Sequence, residues 1–191
     1  HNSGWLKDPG ILYFGPCGSG CEYAEDTTAI VTLLEEYVKD VMTAFKDDDR
    51  VVAWDLYNEP GGGQDPHRYY KRSFPLLKSI FSWAREVNPS QPITAGIWHP
   101  SLGEMNLWQI ENSDIITYHT YEPLESHQHL VDTLKKYQRP MVCTEYMART
   151  QNSTFQSIMP MLKNENVGAI NWGFVRSEEH TSELQSLERI S

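Results

Sequence analysis

From Val51 onward the chain alternates short apolar runs with segments of helical periodicity, and this alternation restricts the fold more than any other feature. A strand followed by a helix that returns the chain to a parallel neighbour repeats in this manner, so the pattern predicts an α/β fold of βα units around a parallel sheet. Strands are predicted over 51–57, 92–98, 114–119, 140–145 and 168–172. Between them Tyr70, Phe74, Leu77, Phe81 and Ala84 keep the spacing of one helix face, as do Leu130, Leu134 and Tyr137, and then Phe155, Ile158, Met159 and Leu162. Ahead of the first strand, Ile30, Leu33, Leu34, Tyr37, Val38, Val41 and Phe45 predict an amphipathic helix ended by the charged run 46–50. Residues 1–27, rich in Gly, Pro and Ser, read as one long irregular loop.

The 191 residues are 39% apolar and 12% aromatic, enough to build the core of one domain. Sixteen basic residues against 26 acidic ones give a formal charge of −10, and no basic block is present to seat on phosphates. Nucleic acid is therefore not an expected partner. No apolar run reaches the ~18 residues that a membrane span needs, so no membrane partner is expected, and His1 to Trp5 lack the features of a signal peptide. Cys17 and Cys21 flank Gly18-Ser19-Gly20, where free thiols, a small disulfide and metal ligation all stay open; Cys143 reads as a small buried hydrophobe. Residues 176–191 are polar, carry no helical stripe and resemble a translated sequencing adapter, which predicts a native catalytic domain over 1–175 and a non-native tail over 176–191.

Two glutamates close apolar strands. Glu59 follows Val51-Val52-Ala53-Trp54-Asp55-Leu56-Tyr57-Asn58 and precedes Pro60, which cannot continue a ladder; Glu145 ends Pro140-Met141-Val142-Cys143-Thr144. Carboxylates at the C-terminal ends of parallel strands stand where βα loops build a pocket. A pair there can split the work of glycosidic cleavage, one protonating the departing oxygen and the other attacking the anomeric carbon. Trp98 and His99 close the second predicted strand and are candidates for substrate contact. Asn152-Ser153-Thr154 fits a glycosylation acceptor, and Ser153 or Thr154 also fits the cap of the next helix.

Trp54-Asp55-Leu56-Tyr57-Asn58-Glu59-Pro60, then His119-Thr120-Tyr121, Thr144-Glu145-Tyr146 and Asn171-Trp172-Gly173, in that order, resembles the retaining glycoside hydrolases with (β/α)8 barrels. Within that clan the sequence looks most similar to the cellulase-like glycoside hydrolase family 5. The resemblance implies a partial (β/α)8 TIM barrel in which the five strands are the fourth to the eighth and the first three are lacking. It implies that Glu59 is the acid/base, Glu145 the nucleophile, and that Asn58 hydrogen-bonds the sugar hydroxyl beside the reacting carbon. It also implies that Tyr121 donates to the nucleophile, His119 shapes the reacting subsite, and Trp172 is a sugar platform. The family's second-strand arginine has no counterpart in this chain. The function so implied is retaining hydrolysis of a β-linked polysaccharide or oligosaccharide without metal or organic cofactor, in a secreted or periplasmic protein. The alternative is a non-catalytic carbohydrate-binding remnant of such an enzyme.

Overall fold

The computed structural model describes residues 27–61 and 70–171. Cys17, Cys21, Trp5, Trp172 and the 176–191 segment lie outside them. The chain forms two compact units, His1–Asp114 and Ile115–Ser191.

In the first unit, helix α1 (Thr27–Phe45) leads to strand β1 (Trp54–Asp55), helix α2 (Tyr70–Val87), strand β2 (Ile93–Thr94) and helix α3 (Gly103–Asn112). Strands β1 and β2 are parallel, with Trp54 opposite Ile93 and Asp55 opposite Thr94. The ladder is short, and a side chain extends it: Asp114 accepts from the Ile93 amide at 2.8 Å while Arg85 grips the same carboxylate at 2.8 and 2.9 Å. The sequence pattern places α1, α2 and both strands but not α3. That helix has Leu102 at its start with no side-chain cap, and its buried positions Met105, Gln109 and Ile110 include a polar residue, so its apolar stripe is thin. The core joins Met42 of α1, Phe74, Leu77, Phe81 and Ala84 of α2, Ile93, and Leu102 and Met105 of the last segment. Trp108 meets Phe74 and Phe81 edge-on, with centroids at 5.9 and 5.1 Å.

In the second unit, β3 (Ile116–His119), β4 (Met141–Glu145) and β5 (Gly168–Ala169) form a parallel sheet in that order. Helix α4 (Leu124–Leu134), which passes into a 3-10 turn over Lys135–Tyr137, connects the first two, and α5 (Phe155–Asn164) connects the last two. Thr154 caps α5 through a reciprocal capping box with Ser157, which explains Asn152-Ser153-Thr154 locally. Gly168 lies close against β4: a Cβ there would sit 3.1 Å from a Val142 methyl, which would have to give by a few tenths of an ångström. Ile116, Tyr118, Val131, Leu134, Cys143, Ile158 and Leu162 make the buried interior. The order of parallel strands and helices is that of a partial (β/α)8 barrel, with no closed barrel among the described residues.

Candidate active site

Glu59 stands just past the end of β1, in the segment Asn58-Glu59-Pro60-Gly61. Pro60 has no amide to give a ladder, so the chain must leave the sheet here. It does so sharply, with φ of 47° at Glu59 and 91° at Gly61. A left-handed conformation is ordinary for Gly61 but costs a glutamate about 1–3 kcal/mol. The turn is held from two sides. Leu56 donates to the Thr94 carbonyl at 2.8 Å, and the Trp98 indole Nε1 donates to the Pro60 carbonyl at 2.9 Å. Asn58 lies beside the glutamate with its Oδ1 buried and without a hydrogen-bond partner among the described residues. A buried amide oxygen so placed has acceptor capacity left unused within the protein. Trp98 is half-buried, its ring edge-on to His99 at 5.2 Å, and its one donor is used within the protein.

Glu145 is the last residue of β4 and only 6% exposed. The Tyr121 hydroxyl donates to its Oε2 at 2.7 Å, and Nδ1 of the buried His119 is 3.7 Å from the same oxygen. A phenol donating to a carboxylate stabilises its ionised form. What brings His119 and Glu145 together is a β-bulge. Tyr118 pairs with Cys143, yet His119 pairs with Glu145, so Thr144 is an extra residue on β4. The Thr144 hydroxyl reaches the Tyr118 carbonyl at 3.4 Å across the irregularity. In an unbroken ladder Glu145 would share the face of Cys143 and Tyr118; the inserted residue turns it to the face of His119.

The other face of the strands is filled differently. Tyr118 is fully buried, with its hydroxyl 3.0 Å from Nε2 of the buried His127 on α4. Burial holds the His127 imidazole down to about 4 and pushes the Cys143 thiol up to about 12, while the Tyr118 phenol is raised by burial and then by Cys143. These groups stay neutral near pH 7 and act as packing. After Glu145 the chain makes a tight turn with φ of 82° at Met147, Arg149–Gln151 as a 3-10 helix and an Ala148 to Ser153 bridge. Tyr146, Met147 and Ala148 are buried in it. No sequence signal marks Met147, the bulge at Thr144 or the Trp98 hydrogen bond. Within their own units the structure joins Asn58, Glu59 and Trp98 in one turn, and His119, Tyr121 and Glu145 in one cluster.

The family model for glycosyl hydrolases family 2, TIM barrel domain, matches residues 13–186. Human beta-glucuronidase is 27% identical over 124 residues, which are 60% of this chain and 18% of that protein. Among solved structures, a Bacteroides uniformis beta-glucuronidase covalently bound to cyclophellitol-6-carboxylate aziridine superposes with a TM-score of 0.64 at 14% identity, over 79% of this chain and 22% of its own. A psychrophilic family 10 endo-beta-1,4-xylanase gives a TM-score of 0.60 at 13% identity, over 85% and 64% of the two chains. At these identities the structural matches establish the barrel fold. The chain therefore spans about a fifth of the length of the human relative.

Proposed function

The chain belongs to the TIM-barrel domain family of glycosyl hydrolases family 2, and from that membership we propose that the parent protein hydrolyses β-linked O-glycosidic bonds with retention, using Glu59 and Glu145. The family is thus family 2, where the motifs alone most resembled family 5. Both readings rest on the same strand-end residues, and those residues serve the chemistry that barrel glycosidases share, so they separate families poorly.

The observation that carries the reading is the buried Glu145 carboxylate with a phenol 2.7 Å from Oε2. An anion kept ionised at the end of a parallel strand is suited to attack an anomeric carbon, which forms a glycosyl-enzyme ester as the leaving-group oxygen departs. Glu59 then has the complementary task. It gives its proton to the departing oxygen in the first half-reaction and takes one from the attacking water in the second, which releases the sugar with its original configuration. Asn58 would present its buried Oδ1 to a sugar hydroxyl donor, His119 would shape the reacting subsite, and the ring of Trp172 would supply an apolar face for sugar C–H groups. No step requires a metal or organic cofactor.

The substrate class proposed from the motifs is a β-linked polysaccharide or oligosaccharide. The relatives named beta-glucuronidase favour a terminal β-glucuronide as the first compound to assay, and the xylanase neighbour favours a neutral pentose chain as the control. The direct test is covalent labelling of the parent protein with cyclophellitol-6-carboxylate aziridine and with its neutral analogue, followed by peptide mapping. Label on the peptide containing Glu145, lost in Glu145→Ala, is the expected result. Hydrolysis that persists in Glu145→Ala, or an inverted first product seen by proton NMR, overturns the two-step reading.

A further inference from the structure

We propose that Trp98 is a positioning residue for the acid/base: through the Pro60 carbonyl it fixes the strained backbone of Glu59, and proton delivery to the leaving group depends on it. The inference rests on the reading of Glu59 as the acid/base.

Four observations converge on this role. Glu59 holds a left-handed φ of 47°, a conformation that relaxes unless its surroundings determine it. The next residue, Pro60, is buried, and its carbonyl needs a donor that a proline-interrupted ladder cannot supply. The Trp98 indole supplies it at 2.9 Å. The indole is in turn rigidly founded, because the carbonyl of the adjacent His99 accepts from the Asn106 side chain at 2.8 Å and from the Leu102 amide at 3.2 Å. The ring also packs on the core formed by α1, α2 and β2. Hydrogen bonds thus tie the start of α3 to the His99 carbonyl, and the indole of the adjoining Trp98 ties this segment to the residue after Glu59.

This role differs from that of a sugar platform, and kinetics separates the two. A platform contributes to binding whatever the leaving group is. A brace on the acid matters only when the departing oxygen needs a proton. The test uses the parent enzyme and aryl β-glycosides of its substrate sugar, graded from dinitrophenyl, which departs unprotonated, to unsubstituted phenyl. For Trp98→Phe, kcat/KM on the dinitrophenyl glycoside is expected to stay within about threefold of the unsubstituted enzyme and on the phenyl glycoside to fall about 30- to 100-fold, the loss that a misplacement near 1 Å produces. Equal losses on both substrates overturn the proposal. Glu59→Ala is the control for the underlying reading: a flat profile there removes the acid/base role itself, whereas a steep Glu59→Ala profile beside a flat Trp98→Phe profile removes only the brace. If Trp98→Phe does not fold, proton exchange at the Trp98 indole in the unsubstituted protein decides. Slow exchange supports the hydrogen bond to Pro60, and exchange as fast as that of an exposed indole overturns it.

Discussion

At the scale of single residues, the candidate chemistry depends on how each polar atom is satisfied. Glu145 takes a hydrogen bond from Tyr121, and a donor to a charged acceptor is worth about 1.5–3 kcal/mol. Tyr121→Phe is therefore expected to lower kcat/KM of the parent enzyme about tenfold or more at neutral pH. It should also move the acidic limb of the pH profile upward, because the carboxylate loses the partner that favours its ionised form. An unmoved acidic limb would show that the phenol does not act on Glu145. Cys143 offers a contrasting case. Fully buried, with a thiol pushed up to about 12, it is expected to resist alkylation in the folded protein and to react on denaturation, as peptide mapping after iodoacetamide treatment reports. Glu59 and Glu145 were legible as residues of interest from their places at strand ends, whereas His119 and Tyr121 entered through the family resemblance alone. The left-handed backbone of Glu59 was not, since a glutamate followed by proline carries no signal for positive φ.

At the scale of elements, periodicity was a good guide where an apolar stripe was wide and a poor one where it was thin. Helix α2 was legible because Phe74, Leu77, Phe81 and Ala84 all reach one core, whereas α3 was missed because Gln109 occupies a core position and donates to the Ala95 and Gly96 carbonyls. The strands are shorter than their apolar runs. Residues such as Ala95 and Ile97 are buried beyond the paired segment, and burial makes a run apolar whether or not it is hydrogen-bonded in a ladder. Two outcomes belong at this scale. Thr154→Ala removes the cap of α5 and is expected to cost about 1 kcal/mol, read as a lower urea midpoint at unchanged slope. His127, buried between α4 and β3, binds its proton only near pH 4 when folded and near 6.5 when unfolded. The unfolded chain thus binds more protons between those values, so stability is expected to fall as pH drops from about 6.5 to about 4, by an amount on the order of 2 kcal/mol. His127→Gln should flatten that dependence in urea titrations; an unchanged slope would assign the acid sensitivity to other groups.

At the scale of the whole molecule, a partial barrel leaves apolar side chains that further chain would cover. Val52 beside β1 is 84% exposed and Ile170 after β5 is 56% exposed. The 191-residue chain expressed alone is expected to self-associate in size-exclusion chromatography and to show no turnover, while the parent protein elutes as a defined species; a monodisperse, active 191-residue chain would contradict this. The extra residue at Thr144 bears on how such a protein can be altered. Because it puts Cys143 and Glu145 out of phase, Met141 and Cys143 can be varied for stability without redirecting Glu145. Deleting Thr144 alone would mend the ladder and leave the carboxylate on the His119 side, because Glu145 would then follow Cys143 directly and alternate away from it. The strand thus sets the direction of this carboxylate through the irregularity itself: a pairing regularised with Thr144 kept would return it to the Cys143 side.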